Sequence, residues 1–448
     1  MPQIQEIEEV KEDTQNISLD SLIIPTDYAN YENITEDNVI ARLEQWRQKA
    51  VTNLFKLSSQ LKKRQIQEMP LNEKVDVICA VAPLDSEGPW ADEQTKDLAH
   101  DILEPFSTVD VPLIEQILST RIKSAFKVNP HPALNPETGR KLPRKAGGPL
   151  GQLDHLEGQL WKTYPGIDNT VLWCARNMRT DVYEKLWHLI IPPVMILLDD
   201  YEAKYKLRGI LIVSEMLNTV PPELLLRTGI NQLLFTSLKT CMTFVHNPLS
   251  ANIMRAVIPV QITLTNLTTP PKSAQRFDKL CQLLGDGIIG SIWLYGSRDL
   301  GTIEASLDVL PDVMKALGIG SVRYLKGIIP QLVYPLIPAL DNTSPTSLQL
   351  KSLEALIVVI EECAPRIYKW KGTILDGVAR CWVTLIDNGG ETDDEIQKIR
   401  QGLRKVVKHL GIACPAILQD EIPLLLEVDS VMFKPLLQVD DLADGTRM

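Results

Sequence analysis

Long apolar runs are missing from this sequence, and positive charge is scarce. The longest apolar stretches, near Leu189–Leu198 and Gly327–Leu340, are short or interrupted by proline, whereas a membrane-spanning helix needs about 20 mainly apolar residues. The 46 Lys and Arg residues face 57 Asp and Glu, so the net charge is −11. A general nucleic-acid binder normally presents a basic face. We therefore expect neither a nucleic-acid partner nor a membrane partner.

Cysteine and histidine are also sparse and scattered. The seven cysteines are odd in number, widely spaced and mostly flanked by apolar residues. That pattern is typical of buried thiols in a reducing compartment, not of a disulfide framework. The opening residues, MPQIQEIEEVKEDTQ, are acidic and polar, the opposite of a secretory leader. These features predict a soluble protein of the cytoplasm or nucleus.

The motifs that could carry chemistry lack the context that the chemistry needs. Gly285–Gly290 matches GxGxxG, but a dinucleotide fingerprint follows a strand, and the preceding AQRFDKLCQLL is helical in pattern. Asp199 and Asp200 have no histidine at ligand spacing; we expect Asp200 to cap a turn and to meet a basic residue of the next helix. His188 and His246 have no Cys or His at zinc spacing. We predict no enzyme, cofactor or metal, and no catalytic or metal-binding residue.

Two further features are best interpreted as structural. The basic run Arg140–Lys145 is too short and isolated to indicate nuclear import or phosphate contact, so a solvated loop is expected. Six tryptophans fall at helical positions and are expected in the core, although aromatic residues are also enriched at interfaces. They are Trp161, Trp173, Trp187, Trp293, Trp370 and Trp382.

The segment Ile190–Val220 predicts a helical hairpin. An apolar helix ends at an Asp-Asp pair, a short polar turn follows, and the second helix carries one stripe at helical spacing. That stripe consists of Leu207, Ile210, Leu211, Ser214 and Leu217. A similar unit, LVYPLIPALDNTSPTSLQLKSLEALIVVI, recurs later, and each second helix opens with a basic residue, Lys206 or Lys351.

Turn markers recur at intervals typical of HEAT repeats. Their spacings are 47, 52, 42 and 46 residues, and two-helix HEAT units run about 40–47 residues. Stacking such units buries the apolar surface that each exposes alone. We therefore keep the β-branched stretch Val260–Thr268 helical. The turn markers are Asp200, Asn247, Asp299, Asp341 and Asp387.

The predicted fold is all-α: an α-solenoid of irregular HEAT-like helical hairpins with a disordered acidic N-terminal tail. We divide it into an acidic tail (1–35), an N-terminal helical region (36–126), a Pro/Gly-rich basic connecting segment (127–160), a HEAT-like repeat domain (161–415), and a C-terminal helix with an acidic tail (416–448). The first helix should begin near Thr35, at a cap-like Thr-Glu-Asp-Asn. Further helices are expected at Asn72–Val81, Ala91–Leu103 and Val111–Phe126.

Residues 127–150 break the helical pattern. They hold five prolines, three glycines and five basic residues against one acid, and an irregular segment of this length is often functional. We interpret it as a strap that braces the N-terminal helices against the C-terminal half. Deleting it should then lower the stability of the whole chain.

Three segments together resemble the fungal branch of the Tel-two-interacting protein two family. They are NPHPALNPETGRKLPRKAGGPL with LEGQLWKTYPGIDNTVLWCARNM, then IPPVMILLDDYEAKYKLRG, then IEECAPRIYKWKGTILDGVARCWV. The resemblance covers roughly residues 127–415, and residues 1–126 match only loosely.

The resemblance implies a non-catalytic subunit of the three-protein TTT co-chaperone complex. Its partners there are the Tel-two protein and Tel-two-interacting protein one, both larger helical-repeat subunits. The complex supports phosphatidylinositol-kinase-related kinases of the TOR, ATM, ATR and DNA-PK class, and hence TOR signalling and the DNA damage response. It acts together with the ninety-kilodalton heat-shock chaperone and an adaptor complex. The family brings no catalytic residue and no single-residue binding motif.

Other functions remain open at this point. A HEAT-repeat nuclear-transport adaptor normally has more repeats and would bind the small transport GTPase, and a phosphatase scaffold would need more regular repeats. An enzyme would need convergent ionisable groups in a deep pocket, for which the sequence offers no cluster. The sequence alone assigns no partner-binding residue.

Overall fold

The chain is all-α and divides into two compact units. The computed structural model describes residues 19–107, 110–148, 155, 157–337, 344–387, 389 and 394–437. Unit 1 comprises Met1–Ile196 and unit 2 comprises Leu197–Met448. The boundary between the units falls in the last turn of a helix. It reflects which residues pack together, whereas the five regions predicted from the sequence reflect composition.

Unit 1 contains helices of 4 to 26 residues, and the longest carries one buried face. Along the long helix, buried Leu43, Ala50, Leu54, Leu57 and Leu61 recur at spacings of three, four and seven and so share one face. Shorter 3-10 turns connect the helices, and a π-helical segment, Ile117–Ile122, joins α4 to α5. The helices are α1 (Asp37–Lys62), α2 (Leu71–Val81), α3 (Glu93–Leu103), α4 (Val111–Gln116), α5 (Lys123–Phe126), α6 (Ile167–Asn177) and α7 (Thr180–Leu198).

The predicted disordered tail is too long. Leu19–Leu22 and Thr26–Asn33 form 3-10 helices, and Tyr28, only 4% exposed, donates from its hydroxyl to the carbonyl of Leu43 at 2.9 Å. Apolar side chains in 19–33 can pack on α1. The acidic composition of this segment led to the prediction of disorder. The prediction for residues 1–18 lies outside the described residues.

Thr35 does not cap the first helix. The N-cap of α1 is Glu36, whose side chain makes no capping hydrogen bond. The other predicted N-terminal helices are confirmed with small shifts at their starts. Asp92 precedes α3 and accepts from the Thr95 N–H at 2.8 Å, which satisfies a backbone donor at that helix end.

The Pro/Gly-rich segment contains a two-stranded antiparallel hairpin, β1 (Leu134–Asn135) and β2 (Arg140–Lys141). Its turn is stabilised by the Asn135 side chain, whose Oδ1 accepts the N–H groups of Glu137 and Thr138. Gly139 closes the turn at φ +63, a conformation that favours glycine.

Unit 2 is a serial stack of helical hairpins. The second helix of each hairpin packs on the second helix of the next, in the order α8, α11, α13, α15 and α18 of the list below. This is the arrangement of HEAT-like repeats. A π-helical segment, Leu283–Trp293, extends α12. The helices are α8 (Ala203–Thr219), α9 (Pro222–Thr228), α10 (Ile230–Cys241), α11 (Ser250–Thr268), α12 (Ala274–Gln282), α13 (Leu300–Leu317), α14 (Leu325–Val333), α15 (Thr346–Glu362), α16 (Ala364–Ile367), α17 (Lys371–Asp387), α18 (Asp394–Ala413), α19 (Ile417–Val428) and α20 (Ser430–Leu437).

The remaining 3-10 helices are short connectors. They are Ile66–Glu68, Ala82–Leu84, Glu104–Phe106, Leu160–Thr163, Gly318–Tyr324 and Tyr334–Leu336.

The repeat pattern read from the sequence is largely confirmed. Asp200, Asn247 and Asp299 lie between helices, Asp387 ends α17, and Asp341 lies outside the described residues. The stretch Val260–Thr268 is helical, as its position in the repeat predicted.

The buried face of α8 is rotated from the predicted stripe. Ile210 and Leu217 are buried, but Leu207, Leu211 and Ser214 are only half-buried. The buried face of α8 also includes Lys206 and Gly209. A search for apolar residues at helical spacing does not select either of them.

Among the described helices, none alone is long and apolar enough to cross a membrane. Only α8 and α9 taken together meet that criterion, and they are bent by 120°.

Candidate functional site

The GxGxxG run is a packing element. It lies in the π-helical segment that continues α12, so no strand precedes it. A Cβ on Gly285 would stand 2.8 Å from the ring of Tyr324, whose hydroxyl donates to the carbonyl of Cys281 at 3.1 Å. The glycine therefore lets the segment lie close to Tyr324, as the packing interpretation predicted.

Asp200 caps the turn between α7 and α8. It is 1% exposed, and its Oδ1 accepts the N–H of Glu202 at 2.8 Å. The basic residue of the next helix, Lys206, is 2% exposed and donates from Nζ to the carbonyl of Leu198 at 2.9 Å. The predicted capping is confirmed, and the contacts of Asp200 and Lys206 described here hold the hairpin turn.

The histidines named in the sequence lie apart. His188 is half-buried on α7, and His246 is exposed at the turn before α11. Across the part of the chain that the structure describes, no group of three or more His, Cys, Asp or Glu side chains is placed to hold a metal ion.

Burial makes several thiols poor nucleophiles. All seven cysteines are free, and six are buried. Burial raises the pKa of Cys79, Cys241 and Cys381 to about 12, so these thiols stay protonated at neutral pH. The prediction of buried, unpaired cysteines is confirmed.

Unit 1 contains a cavity of about 430 Å³ with a mainly apolar lining. Its walls include Leu22, Ile24 and Ile122, and its titratable lining residues are Cys79, Arg121 and Tyr164. Arg121 pairs with the carboxylate of Asp76 at 2.5 Å. This mainly apolar lining offers apolar contacts and a few hydrogen-bonding groups, which suits a bound apolar group.

The basic run lies partly in the hairpin of unit 1. Arg140 and Lys141 form β2 and are exposed, so the prediction of a loop is wrong for these two residues. Their exposure agrees with the solvated interpretation.

Five of the six tryptophans are buried, and three hold neighbouring segments. Trp187 on α7 donates from Nε1 to the carbonyl of Gly139 at 2.8 Å, and Trp382 on α17 donates to the carbonyl of Met432 at 2.9 Å. Trp293 donates to the Ser306 hydroxyl at 2.8 Å. Trp370 is the half-buried exception. The core interpretation is therefore confirmed for the five.

The hairpin connects two parts of unit 1. Lys123 on α5 approaches the carboxylate of Glu137 at 3.7 Å, and Gly139 lies against Trp187. The 127–148 segment thus contacts both the N-terminal helices and α7. This supports the brace, although its proposed link to the C-terminal half stays a prediction.

A charge ladder connects three consecutive second helices of unit 2. Asp308 on α13 accepts from Arg255 on α11 at 2.8 Å and pairs with Lys351 on α15 at 3.2 Å. The sequence pattern indicated Lys351 but neither Asp308 nor Arg255 as its companions. Their spacing carries no local signal, since only the stacking order of the helices brings them together.

Part of this chain matches a known protein family. A model of the Tti2 family matches residues 77–340, more than half of the chain. The match begins well before the first quoted segment, so it includes residues 77–126, for which the sequence analysis expected only a loose likeness. The third quoted segment, Ile360–Val383, lies beyond the matched range.

Two curated relatives give weaker, partial matches. The mouse protein named TELO2-interacting protein 2 is 23% identical over 213 residues, and the rat protein of that name is 22% identical over 213 residues. Each alignment covers 48% of this chain and 41% of the relative, so the chain spans about two fifths of the length of the relatives it matches. The family match, which extends over most of unit 1 and into the helical stack of unit 2, shows that this chain belongs to the Tti2 family.

Proposed function

We propose that this protein is a non-catalytic scaffold subunit of a three-protein co-chaperone complex. It supports folding, assembly and stability of phosphatidylinositol-kinase-related kinases together with the ninety-kilodalton heat-shock chaperone. Membership of the Tti2 family over residues 77–340 is the observation that carries the proposal. The name of the mouse and rat relatives, TELO2-interacting protein 2, supports it.

The direct partners in this proposal are the Tel-two protein and Tel-two-interacting protein one. A serial stack of helices suits this role because it offers a long continuous surface to another helical-repeat protein. The charge ladder through Asp308 joins three helices of the stack, and a preorganised surface loses less conformational freedom on binding. The proposed locations are the cytoplasm and the nucleus.

Affinity purification tests the composition of the complex. The tagged chain, expressed at its endogenous level in its own host, should retain the two larger helical-repeat proteins in near-equal amounts at moderate salt, with kinases at a low level. Recovery of transport factors, or of no stoichiometric partner, would contradict the proposal. Binding of the small transport GTPase would favour the transport adaptor instead.

Acute depletion tests the role of the complex. Removal of the chain should lower the abundance of several phosphatidylinositol-kinase-related kinases within a few protein lifetimes, while an unrelated kinase of similar size stays constant. If the levels of all these kinases stayed unchanged, the chain would be only a structural partner, and the proposed co-chaperone role would be contradicted.

A further inference from the structure

The end of α16 and the turn that follows it carry exposed basic and aromatic side chains. Arg366 and Lys369 are exposed, Tyr368 is 47% exposed, and Trp370 is half-buried. Ile367 between them is fully buried and anchors this part of the chain in the core. We call Arg366, Tyr368, Lys369 and Trp370 the basic-aromatic turn.

Backbone hydrogen bonds place these side chains on one face. The Lys369 N–H donates to the Arg366 carbonyl at 3.4 Å. The Trp370 N–H donates to the Ile367 carbonyl at 2.8 Å. This helical winding puts Arg366, Lys369 and Trp370 on the same side, since residues three and four apart are neighbours on a helix surface. Tyr368 lies beside them, because the Lys369 Nζ is 6.0 Å from the centre of its ring.

The two cations of this turn are unpaired. In the described part of the chain, neither Arg366 nor Lys369 forms an ion pair with a carboxylate. By contrast, Lys371, the next basic residue, pairs with Glu421 at 2.5 Å. The chain has more acids than bases, and it still leaves these two cations available to an outside carboxylate.

The acidic side chains near the turn are engaged in other contacts. Glu361 pairs with the His409 ring at 2.9 Å. Glu362 faces the preceding connector, since its Oε2 would lie 3.8 Å from a Cβ placed on Gly318. Asp420, like Glu421, lies beside Lys371, at 4.0 Å. These positions leave the basic side of the turn without a competing acid among the residues that pack around it.

α18, which packs on α16, adds positive charge beside the turn. The contact of its His409 with Glu361, just before α16, brings the last turns of α18 close. Residues 400–413 of α18 contain no acid. Of their basic residues, Lys405 is exposed and Lys408 is half-buried. The basic-aromatic turn therefore lies in a basic part of an otherwise acidic chain.

Charge and side-chain type select the occupant. Unpaired exposed cations favour carboxylates, because complementary charges speed association and exclude wrong partners. Arg, Tyr and Trp are the residues most enriched at binding hot spots. A nucleic acid or an anionic membrane would set its charge against a wide surface of a chain whose net charge is −11. A short acidic segment of a protein meets only the turn itself.

We infer that the basic-aromatic turn binds a short acidic segment of a protein partner, with carboxylates at its two cations and an apolar side chain against its two aromatic rings. The inference rests on the proposed function only for the class of partner, a protein. It adds the binding surface and the chemistry of the bound segment.

Fluorescence anisotropy with a labelled acidic peptide tests the inference. The probe is the fluorescein-labelled decapeptide EEDLEEDLEE, titrated with the full chain at constant moderate salt. The variant Arg366→Glu/Lys369→Glu should bind at least about tenfold more weakly than the wild type. The matched control Lys56→Glu/Lys63→Glu makes the same change of net charge at two exposed lysines of unit 1, and it should bind within about twofold of the wild type.

Milder variants separate the contributions of charge and ring. Tyr368→Ala leaves the charge unchanged and should weaken binding about threefold. The neutral peptide QQNLQQNLQQ should bind the wild type at least about tenfold more weakly than the acidic one, and the acidic peptide should bind more weakly as salt is added. All variants should keep the wild-type melting temperature, since the replaced side chains are exposed.

The outcomes keep this inference distinct from the proposed function. If the wild type does not bind the acidic peptide, or binds it no better than Arg366→Glu/Lys369→Glu does, the inference fails, while the affinity purification still decides the proposed function. Tighter binding of a thymidine oligonucleotide or of phosphatidylserine vesicles, lost in the same variant, would assign the turn to nucleic acid or membrane and overturn the inference.

The acidic segment 438–448 of this chain provides one further control. It contains three aspartates and one arginine. If the full-chain variant Asp440→Asn/Asp441→Asn/Asp444→Asn bound the peptide at least about tenfold more tightly than the wild type, the turn would belong to this segment and not to a partner. Unchanged affinity is the result expected for a partner site.

Discussion

Gly209 on α8 lies directly against the backbone of Leu198 at the end of α7. A Cβ placed on Gly209 would stand 2.5 Å from the Leu198 nitrogen and 2.6 Å from its Cα. Backbone atoms cannot move aside as a flexible side chain can, so this crossing requires glycine. Beside it, Lys206 binds the Leu198 carbonyl, and the two contacts together set the first hairpin turn of unit 2.

Gly209→Ala should therefore destabilise unit 2. The added methyl must push the two helices apart, and overpacking of this kind costs about 1–3 kcal/mol. Urea unfolding followed by circular dichroism should show the loss as a lower midpoint.

Gly372→Ala is the matched control, because Gly372 is also helical and a Cβ there meets nothing within 4 Å. It should leave stability unchanged or raise it by up to about 1 kcal/mol, since alanine favours helix. Equal effects of the two substitutions would mean that the close crossing does not limit stability.

The hairpin of unit 1 depends on a second glycine contact. Gly139→Ala combines an unfavourable φ of +63 with a Cβ 2.8 Å from the Trp187 ring and 2.9 Å from Ile191. We expect a loss of about 2–4 kcal/mol from strain and overpacking together. Thermal unfolding monitored by tryptophan fluorescence is a suitable measurement.

Gly148→Ala isolates the backbone contribution. Gly148 has a similar φ, +62, but a Cβ there meets nothing within 4 Å. This variant should lose only about 1 kcal/mol. A loss as large as that of Gly139→Ala would show that strain alone, and not the contact with Trp187, explains the effect.

The charge ladder should contribute modestly and depend on salt. Asp308→Asn removes the acceptor shared by Arg255 and Lys351, and we expect a loss of about 1 kcal/mol at low salt that shrinks as salt is added. The hydrogen bond that the Lys351 ammonium donates to the Asp308 carboxylate raises the pKa of Lys351. The associated stabilisation is therefore present at neutral pH and is lost as pH rises through that raised pKa.

An exposed pair within one helix provides the comparison. Asp376→Asn breaks the contact with Arg380 on the same helix, 2.9 Å long, and should cost less than about 0.5 kcal/mol. If Asp376→Asn cost as much as Asp308→Asn, the ladder would be no more than two ordinary surface pairs.

Stability should also rise between about pH 8 and pH 10.5 because of Lys279. Its Nζ lies 3.0 Å from the centre of the Phe235 ring, a contact that favours the ammonium ion, but burial outweighs it and lowers the pKa of Lys279 from 10.5 to about 8. Between these values the unfolded chain holds a proton that the folded chain has lost, so the free energy of unfolding increases with pH.

Substitutions of Lys279 show whether its own titration, and not that of another group, causes this dependence of stability on pH. Lys279→Arg keeps its charge throughout that range, and Lys279→Met never has one. The wild type should therefore gain stability relative to both variants between pH 8 and pH 10.5, in urea titrations at matched ionic strength. Parallel pH profiles for all three proteins would contradict a lowered pKa.

Local patterns were sufficient for much of the fold. The 3.6-residue periodicity and the recurring Asp and Asn turn residues predicted the hairpins of unit 2, because these signals lie within a few residues of one another. The structured segment 19–33 was missed because its acidic residues outweigh Leu22 and Tyr28 in composition. Those two side chains become core only through contact with other elements.

By itself, the sequence determined that this protein is all-α, acidic and built from HEAT-like hairpins, and its segments indicated the Tti2 family. Tertiary structure alone decided which faces are buried, that Asp308 joins Arg255 to Lys351, and that Arg366 and Lys369 remain exposed. The physical reason is distance along the chain. A helix period is encoded by neighbouring residues, whereas a surface is defined by side chains that only the stacking of separate helices brings together or leaves uncovered.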